Sequence, residues 1–183
     1  MVTYFNGLMM TATGTGDTHL QANGATYVEA LGIPNLSPGL QLRSRPGIGA
    51  VLPPGLNTWA EFQTIKVEIG YSRDWRTMNP KVLEYCAFPG IQYVLCVYVS
   101  PANGVRQWKL FSIVNNVLQG PDPQHVAPVA ITAATQVELD ARRLLALPAN
   151  VPLPANFNNP VLLQLEPWLR EVWFETYGTP APF

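Results

Sequence analysis

Between Ile65 and Val99 the apolar and polar positions of the chain define three elements in succession. Ile65, Val67 and Ile69 enclose Glu68 in a short run that reads as a buried strand, and Gln92–Val99 is apolar on both faces, as expected of a central strand covered on two sides. Between them Val82, Leu83, Tyr85 and Cys86 form an apolar helical face, with Asn79 as cap, Pro80 at the first helical position and Pro89-Gly90 as the stop. Strand, helix and strand in this order predict a βαβ unit with parallel strands and a right-handed crossover.

The same pattern, followed outward, predicts the rest of the sheet. Val2–Met10 reads as a hairpin turning at Asn6-Gly7, and Thr11–Thr18 as a Gly/Thr-rich loop. Its Gly14-x-Gly16-Asp17 lacks the lysine and the preceding strand of a phosphate loop. His19–Leu31 reads as a weak helix, and Leu40–Arg45 and Ile48–Leu52 as strands ended by Pro53-Pro54-Gly55. Asn103-Gly104 turns the chain into Val105–Val114, whose Val105, Trp108, Leu110 and Ile113 predict a strand hairpinned to its predecessor. Gln119–Pro128 is a Pro-rich loop holding His125. A short strand is expected at Val129–Thr132, and another at Val137–Ala141 running into a helix from Arg142.

Prolines 148, 152, 154 and 160 mark a semi-rigid linker over Pro148–Pro160, so the chain divides into a domain over 1–147 and an appended segment over 148–183. The segment ends in a helix, Pro167–Tyr177, stopped by Gly178. Leu165, Trp168, Leu169, Val172 and Trp173 share one face, and Glu166, Arg170, Glu171 and Glu175 the other. That apolar face either docks on its own domain or serves as an interaction surface for a second copy or another partner, with Trp168, Leu169, Val172 and Trp173 as anchors.

Composition narrows the function. Hydrophobic residues make up 48% of the 183 positions and charged residues 13%, so the chain buries much of itself or offers apolar surface to a partner. Eleven basic and twelve acidic residues leave a net charge of −1, which argues against a general nucleic-acid binder. A local groove remains open to DNA through Arg43, Arg45, Lys66, Arg73, Arg76 and Lys81, which otherwise read as ordinary solvated charges. Two cysteines in apolar settings, two histidines and no Cys-x-x-Cys pair give neither a disulfide framework nor a zinc site. With no apolar run of membrane-spanning length and no secretory leader pattern, an intracellular, soluble protein with no membrane partner is expected.

Glu68 is the position that asks for chemistry, because a desolvated carboxylate is costly unless paired, protonated or bound to a cation. The spacing Glu68, Ser72, Lys81, Tyr85, Gly90, Tyr93 resembles the Uma-like restriction-endonuclease family, a branch of the PD-(D/E)XK nuclease superfamily. Further segments fit that resemblance in order. They are Tyr4–Met10 with Thr13-Gly14 and His19, then Arg45-Pro46-Gly47-Ile48-Gly49-Ala50-Val51, and Gln136–Leu147 as terminal strand and helical tail. The resemblance implies an α/β (α+β) fold, a restriction-endonuclease-like mixed central sheet flanked by helices, here with a C-terminal helical extension. It also implies a metal-dependent DNA endonuclease using Mg2+ or Mn2+, with Glu68 as metal ligand and Lys81 orienting water or steadying the leaving phosphate. Ser72, Asp74 and Tyr85 are the nearest auxiliaries, of which Asp74 could offer a substitute carboxylate but, lying in a loop, reads rather as a turn or capping residue.

The departures from that pattern bear on activity. Gly47 stands where the family's metal-binding aspartate follows proline, Thr64 at a second acidic position, and Gly70 where other superfamily members carry lysine. Lys81 resembles the migrated lysine of this branch. Phosphodiester cleavage of this kind needs a divalent cation held by oxygen ligands, so the loss of one predicts weak or absent hydrolysis. Two functions follow: a nuclease-fold protein with a degenerate active site, or a non-enzymatic interaction module. In the second, Glu68 and Lys81 form a buried salt bridge. Asp17 and Glu61 are weaker candidate acids, and a carbohydrate or small-molecule site has only the aromatic content in its favour.

Overall fold

The computed structural model describes residues 2–22, 40–71, 74–100 and 103–182. Among them the chain forms a mixed α+β fold built on a seven-stranded sheet. Helix α1 (Val2–Thr13) is followed by β1 (Leu20–Ala22), β2 (Leu40–Ser44), β3 (Ile65–Gly70), α2 (Trp75–Cys86), β4 (Tyr93–Ser100), β5 (Val105–Val114), β6 (Val117–Gln119) and β7 (Val129–Ala130). Then come β8 (Gln136–Leu139), the single turn α3 (Ala141–Leu144), β9 (Val161–Gln164) and α4 (Leu165–Tyr177). Strands run in the spatial order β1 to β6 with β7 also on β5, while β8 and β9 form a separate antiparallel pair. Every pairing is antiparallel except β3 with β4, which sets Glu68 beside Cys96.

Period-two alternation divides the two central strands between two cores. Ile65, Val67, Tyr93, Leu95, Val97 and Val99 face a large core filled by α1, the β8–β9 pair and α4. Val94, Cys96, Phe111 and Ile113 face Val82, Tyr85, Cys86 and Phe88 of α2 and the turn after it. Both faces are covered, so β4 is almost wholly apolar, while the two charged residues of β3, Lys66 and Glu68, are buried on the face beneath α2.

Several expectations are corrected. The N-terminal hairpin is a helix: Phe5, Met9 and Thr13 lie four apart and are buried, with the Phe5 ring edge-on to Trp168 at 5.3 Å. Tertiary packing of that stripe outweighs the local Asn6-Gly7 turn signal. Helix α2 begins a turn earlier than expected, because Asp74 rather than Asn79 is the cap, accepting from the N–H of Arg76 at 3.0 Å and Thr77 at 3.3 Å. Pro80 then lies inside the helix, and Asn79 is used elsewhere. Ile48–Leu52 is irregular chain rather than strand, since Gly47 and Gly49 both adopt left-handed backbone (φ +92° and +93°) that breaks a ladder. Where a helix was expected from His19, Leu20–Ala22 pairs with β2, and the remainder, 23–31, lies outside the described residues.

Besides β1, two further strands, β6 and β9, were not expected. The turn between β5 and β6 is Asn115-Asn116, both at positive φ, the two-residue geometry that hairpins favour. Strand β9 follows the proline-rich stretch 148–160, which packs on the large core: Phe157 is buried, Val151 and Leu153 lie against the core, and Arg142 donates to Pro148 O at 2.7 Å. Helix α4 starts two residues before Pro167 and ends at Gly178 in left-handed backbone, as its sequence indicates.

Candidate functional site

Strand β3 and helix α2 meet at Glu68. Lys81 and Tyr85 are four apart on α2, hence on one face, and both reach that carboxylate. Lys81 Nζ lies 3.2 Å from Oε1 and 3.1 Å from Oε2, and the Tyr85 hydroxyl donates to Oε1 in a short hydrogen bond. Glu68 is 4% exposed, and the Lys81 side chain retains 17%. Burial, and then the Glu68 charge, push the Tyr85 hydroxyl far above the ordinary tyrosine range, so it remains a neutral donor.

Three further groups surround this cluster. Lys66, two residues before Glu68 on the same face of β3, is completely buried. Its Nζ has no hydrogen-bond partner among the described residues and sits 3.6 Å from the centre of the Phe88 ring and 4.6 Å from that of Tyr85. Burial lowers its pKa to about 7, against the opposing pull of Glu68. Cys96, paired with Glu68 across the sheet, is buried, and desolvation followed by the Glu68 charge raises its thiol pKa. Lys109 pairs with Cys96 from β5 and donates to Asn79 Oδ1 at 3.1 Å and Pro123 O at 2.9 Å, over the Trp75 ring. The signal for Lys66 was present in the sequence, since a charge two residues from Glu68 on a strand must share its face.

The other candidates separate. Ser72 and Arg73 lie outside the described residues. Asp74 is exposed and used as the α2 cap. Asp17 pairs with Arg45 at 3.2 Å, and Glu61 accepts from the N–H of Asn57 and Thr58. The basic residues that are near one another in sequence therefore do not form one patch at Glu68: Arg45 is held by Asp17, Arg43 donates to Gln21, and Lys66 is buried. The register between β2 and β3 sets Leu40 opposite Val67 and Leu42 opposite Ile65, so the chain after Ser44 leads away from Glu68. Gly47 therefore does not face Glu68 across the β2–β3 ladder. Thr64 is buried at the far end of β3, its N–H bonded to Leu42 O.

These donors do not fit a divalent cation. Such an ion would meet the Lys81 ammonium on both oxygens of the one available carboxylate, and the described residues contain no group of three histidine, cysteine, aspartate or glutamate side chains able to hold a metal.

The four proposed anchors on the last helix divide as well. Trp168, Leu169 and Val172 are buried in the large core of their own chain, while Trp173 is half-buried, its ring 4.4 Å from that of Tyr177. Phe174 and Tyr177 are the exposed large apolar side chains of α4. No helix of the described residues is long and apolar enough to cross a membrane. Comparison with protein-family models, with curated proteins and with solved structures finds no match to this chain.

Proposed function

We propose that this chain is a nuclease-derived α/β module that has given up phosphodiester hydrolysis and works by binding, with Glu68, Lys81 and Tyr85 retained as a tie between α2 and the sheet. The observation that carries this reading is the state of Glu68: buried, with Lys81 across both oxygens and Tyr85 on one of them. A carboxylate so engaged is a structural acceptor. Support for the nuclease ancestry comes from the resemblance in sequence and from a mixed central sheet flanked by helices, in which a strand-helix-strand unit carries Glu68 and Lys81.

The test is incubation of purified protein with supercoiled plasmid and MnCl2 or MgCl2, alongside calorimetric titration with manganese. Neither nicking nor manganese binding is expected. Metal-dependent nicking that disappears in both Lys81→Met and Glu68→Gln, with the fold of each variant intact by circular dichroism, would overturn the reading and restore a working nuclease.

A further inference from the structure

A groove of about 870 Å³ runs between α1, β9 with the loop before it, and the first turns of α4. Its size is in the range that accommodates organic ligands or several side chains of a peptide. Leu8 and Ala12 of α1 and Leu162 of β9 give it apolar walls over Trp168 of α4, while Thr11 and Gln164 add a hydroxyl and an amide.

Three features point to an occupant. Leu162 is 40% exposed although its strand neighbours Val161 and Leu163 are fully buried, so the groove side of β9 offers an apolar side chain to whatever lies there. Gly7, in the middle of α1, lines the groove, and a Cβ added there would meet nothing within 4 Å. No neighbour among the described residues requires glycine at that point, yet glycine weakens a helix interior. Its effect is to keep one wall low, allowing close approach by another backbone. Third, the only charged side chain among the described residues lining the groove is Glu171. Asn158 and Asn159 add two further amides, so an occupant complementary to this lining sets apolar side chains against Leu8, Ala12 and Leu162, offers main-chain polar groups to the amides, and carries a single positive charge.

We infer that the groove is the docking site for a short segment of a partner protein, one that sets apolar side chains against Leu8, Ala12 and Leu162, over the buried Trp168, and a Lys or Arg against Glu171. Thr11 and Gln164 then meet main-chain N–H and C=O groups of that segment. The floor of the groove is rigid, because the Trp168 ring beneath it is buried and braced edge-on by Phe5, which lowers the ordering cost of binding. This inference rests on the proposal that the chain works by binding, but on none of the residues around Glu68. Plasmid nicking would therefore sink that proposal and leave the groove to be judged by its own experiment.

That experiment is panning of a phage-displayed library of peptides, each about a dozen residues long, on the full chain, followed by fluorescence polarisation with the recovered peptides. Expected are apolar sequences with a Lys or Arg, whose affinity falls at least tenfold in Gly7→Leu, which fills the groove, and in Glu171→Gln, which removes its charge. Both changes are at positions open to solvent or groove, and thermal melts confirm folding. Panning on Glu171→Lys is expected to shift selection to acidic peptides. The inference is overturned if no peptide is enriched over bare support, or if recovered peptides bind wild type and both variants within twofold. Self-association of the wild type that Gly7→Leu abolishes also overturns it, in favour of a second copy of the chain.

Discussion

Replacing Lys66 by methionine is expected to stabilise this protein, and the size of the gain is expected to depend on pH. Lys66 is fully buried, its ammonium between the rings of Phe88 and Tyr85, and its pKa lies at about 7 instead of 10.5. At 1.36 kcal/mol per pKa unit, the folded state disfavours the charged lysine by about 5 kcal/mol relative to the unfolded chain. The sign follows from which state holds the proton. Between pH 7 and 10.5 the unfolded chain binds a proton that the folded chain has lost, so stability rises with pH across that window, by about 1.4 kcal/mol per unit at most. Below pH 7 both states are protonated and the full penalty remains. Lys66→Met, which keeps the length and removes the charge, should therefore gain about 4–5 kcal/mol at pH 6.5 and keep only about 1.4 kcal/mol of that advantage at pH 9.5, one unit below the unfolded pKa.

The assay is urea denaturation of both proteins at half-unit steps from pH 6 to 9.5. The quantity to read is the difference between them, because Cys86, Cys96 and Tyr85 all have raised pKa values and remain neutral in the folded state. Those groups lose stability as pH climbs past their unfolded values, and they do so equally in both proteins. A difference that stays flat from pH 6 to 9.5, or a variant less stable than wild type at pH 6.5, would refute the reasoning.

Four further outcomes are expected from the same denaturation experiment. Lys81→Met leaves the Glu68 carboxylate with Tyr85 alone and should cost about 2–3 kcal/mol, less than the 3–5 of a fully buried pair because the Lys81 side chain keeps 17% exposure. Asp74→Ala removes the acceptor of two N–H groups at the start of α2 and should cost about 1 kcal/mol. Gly7→Ala places a methyl group in open space on a helix and should add about 0.5–1 kcal/mol. Trp168→Ala should cost about 3–5 kcal/mol and dim the near-ultraviolet circular dichroism, since the ring fills the core against Phe5; a loss under 1 kcal/mol would mean the helix is not docked on its own chain.

What the sequence made legible was whatever local periodicity decides. Strands β3, β4 and β5 and helix α4 follow from runs of apolar residues long enough to choose between a period of two and one of 3.6. Helix α1 did not, because its stripe of Phe5, Met9 and Thr13 acquires meaning only against Trp168 at the other end of the chain, while Asn6-Gly7 is a strong signal at short range. Strand β9 is four residues long behind a proline-rich stretch, and only its pairing with β8 makes it a strand. At the site, Lys81 and Tyr85 could be placed beside Glu68 because helical spacing puts them on one face. Lys109 could not, since its position depends on the register of β5 against β4, which a turn sets and a sequence shows only to within a residue or two.

The charges that the fold gathers under α2 bear directly on what Glu68 does. Lys66 and Glu68 share a face of β3, Cys96 and Lys109 extend the row across the sheet, and Lys81 closes over it from the helix. That is three amines and one carboxylate, a balance of the wrong sign for a divalent cation. The fold lowers the cost in two ways: Lys66 is shifted toward its neutral form by burial, and Lys109 is held by neutral oxygens of Asn79 and Pro123. Lys81 alone is left to neutralise Glu68, from the position at the rim where its ammonium keeps some contact with water. Drawing a metal to Glu68 would require Lys81 to leave, and its departure would remove one of the two α2 side chains, the other being Tyr85, that tie the helix to this carboxylate. In this chain, therefore, a metal at Glu68 would have to displace the Lys81 ammonium that now spans both carboxylate oxygens.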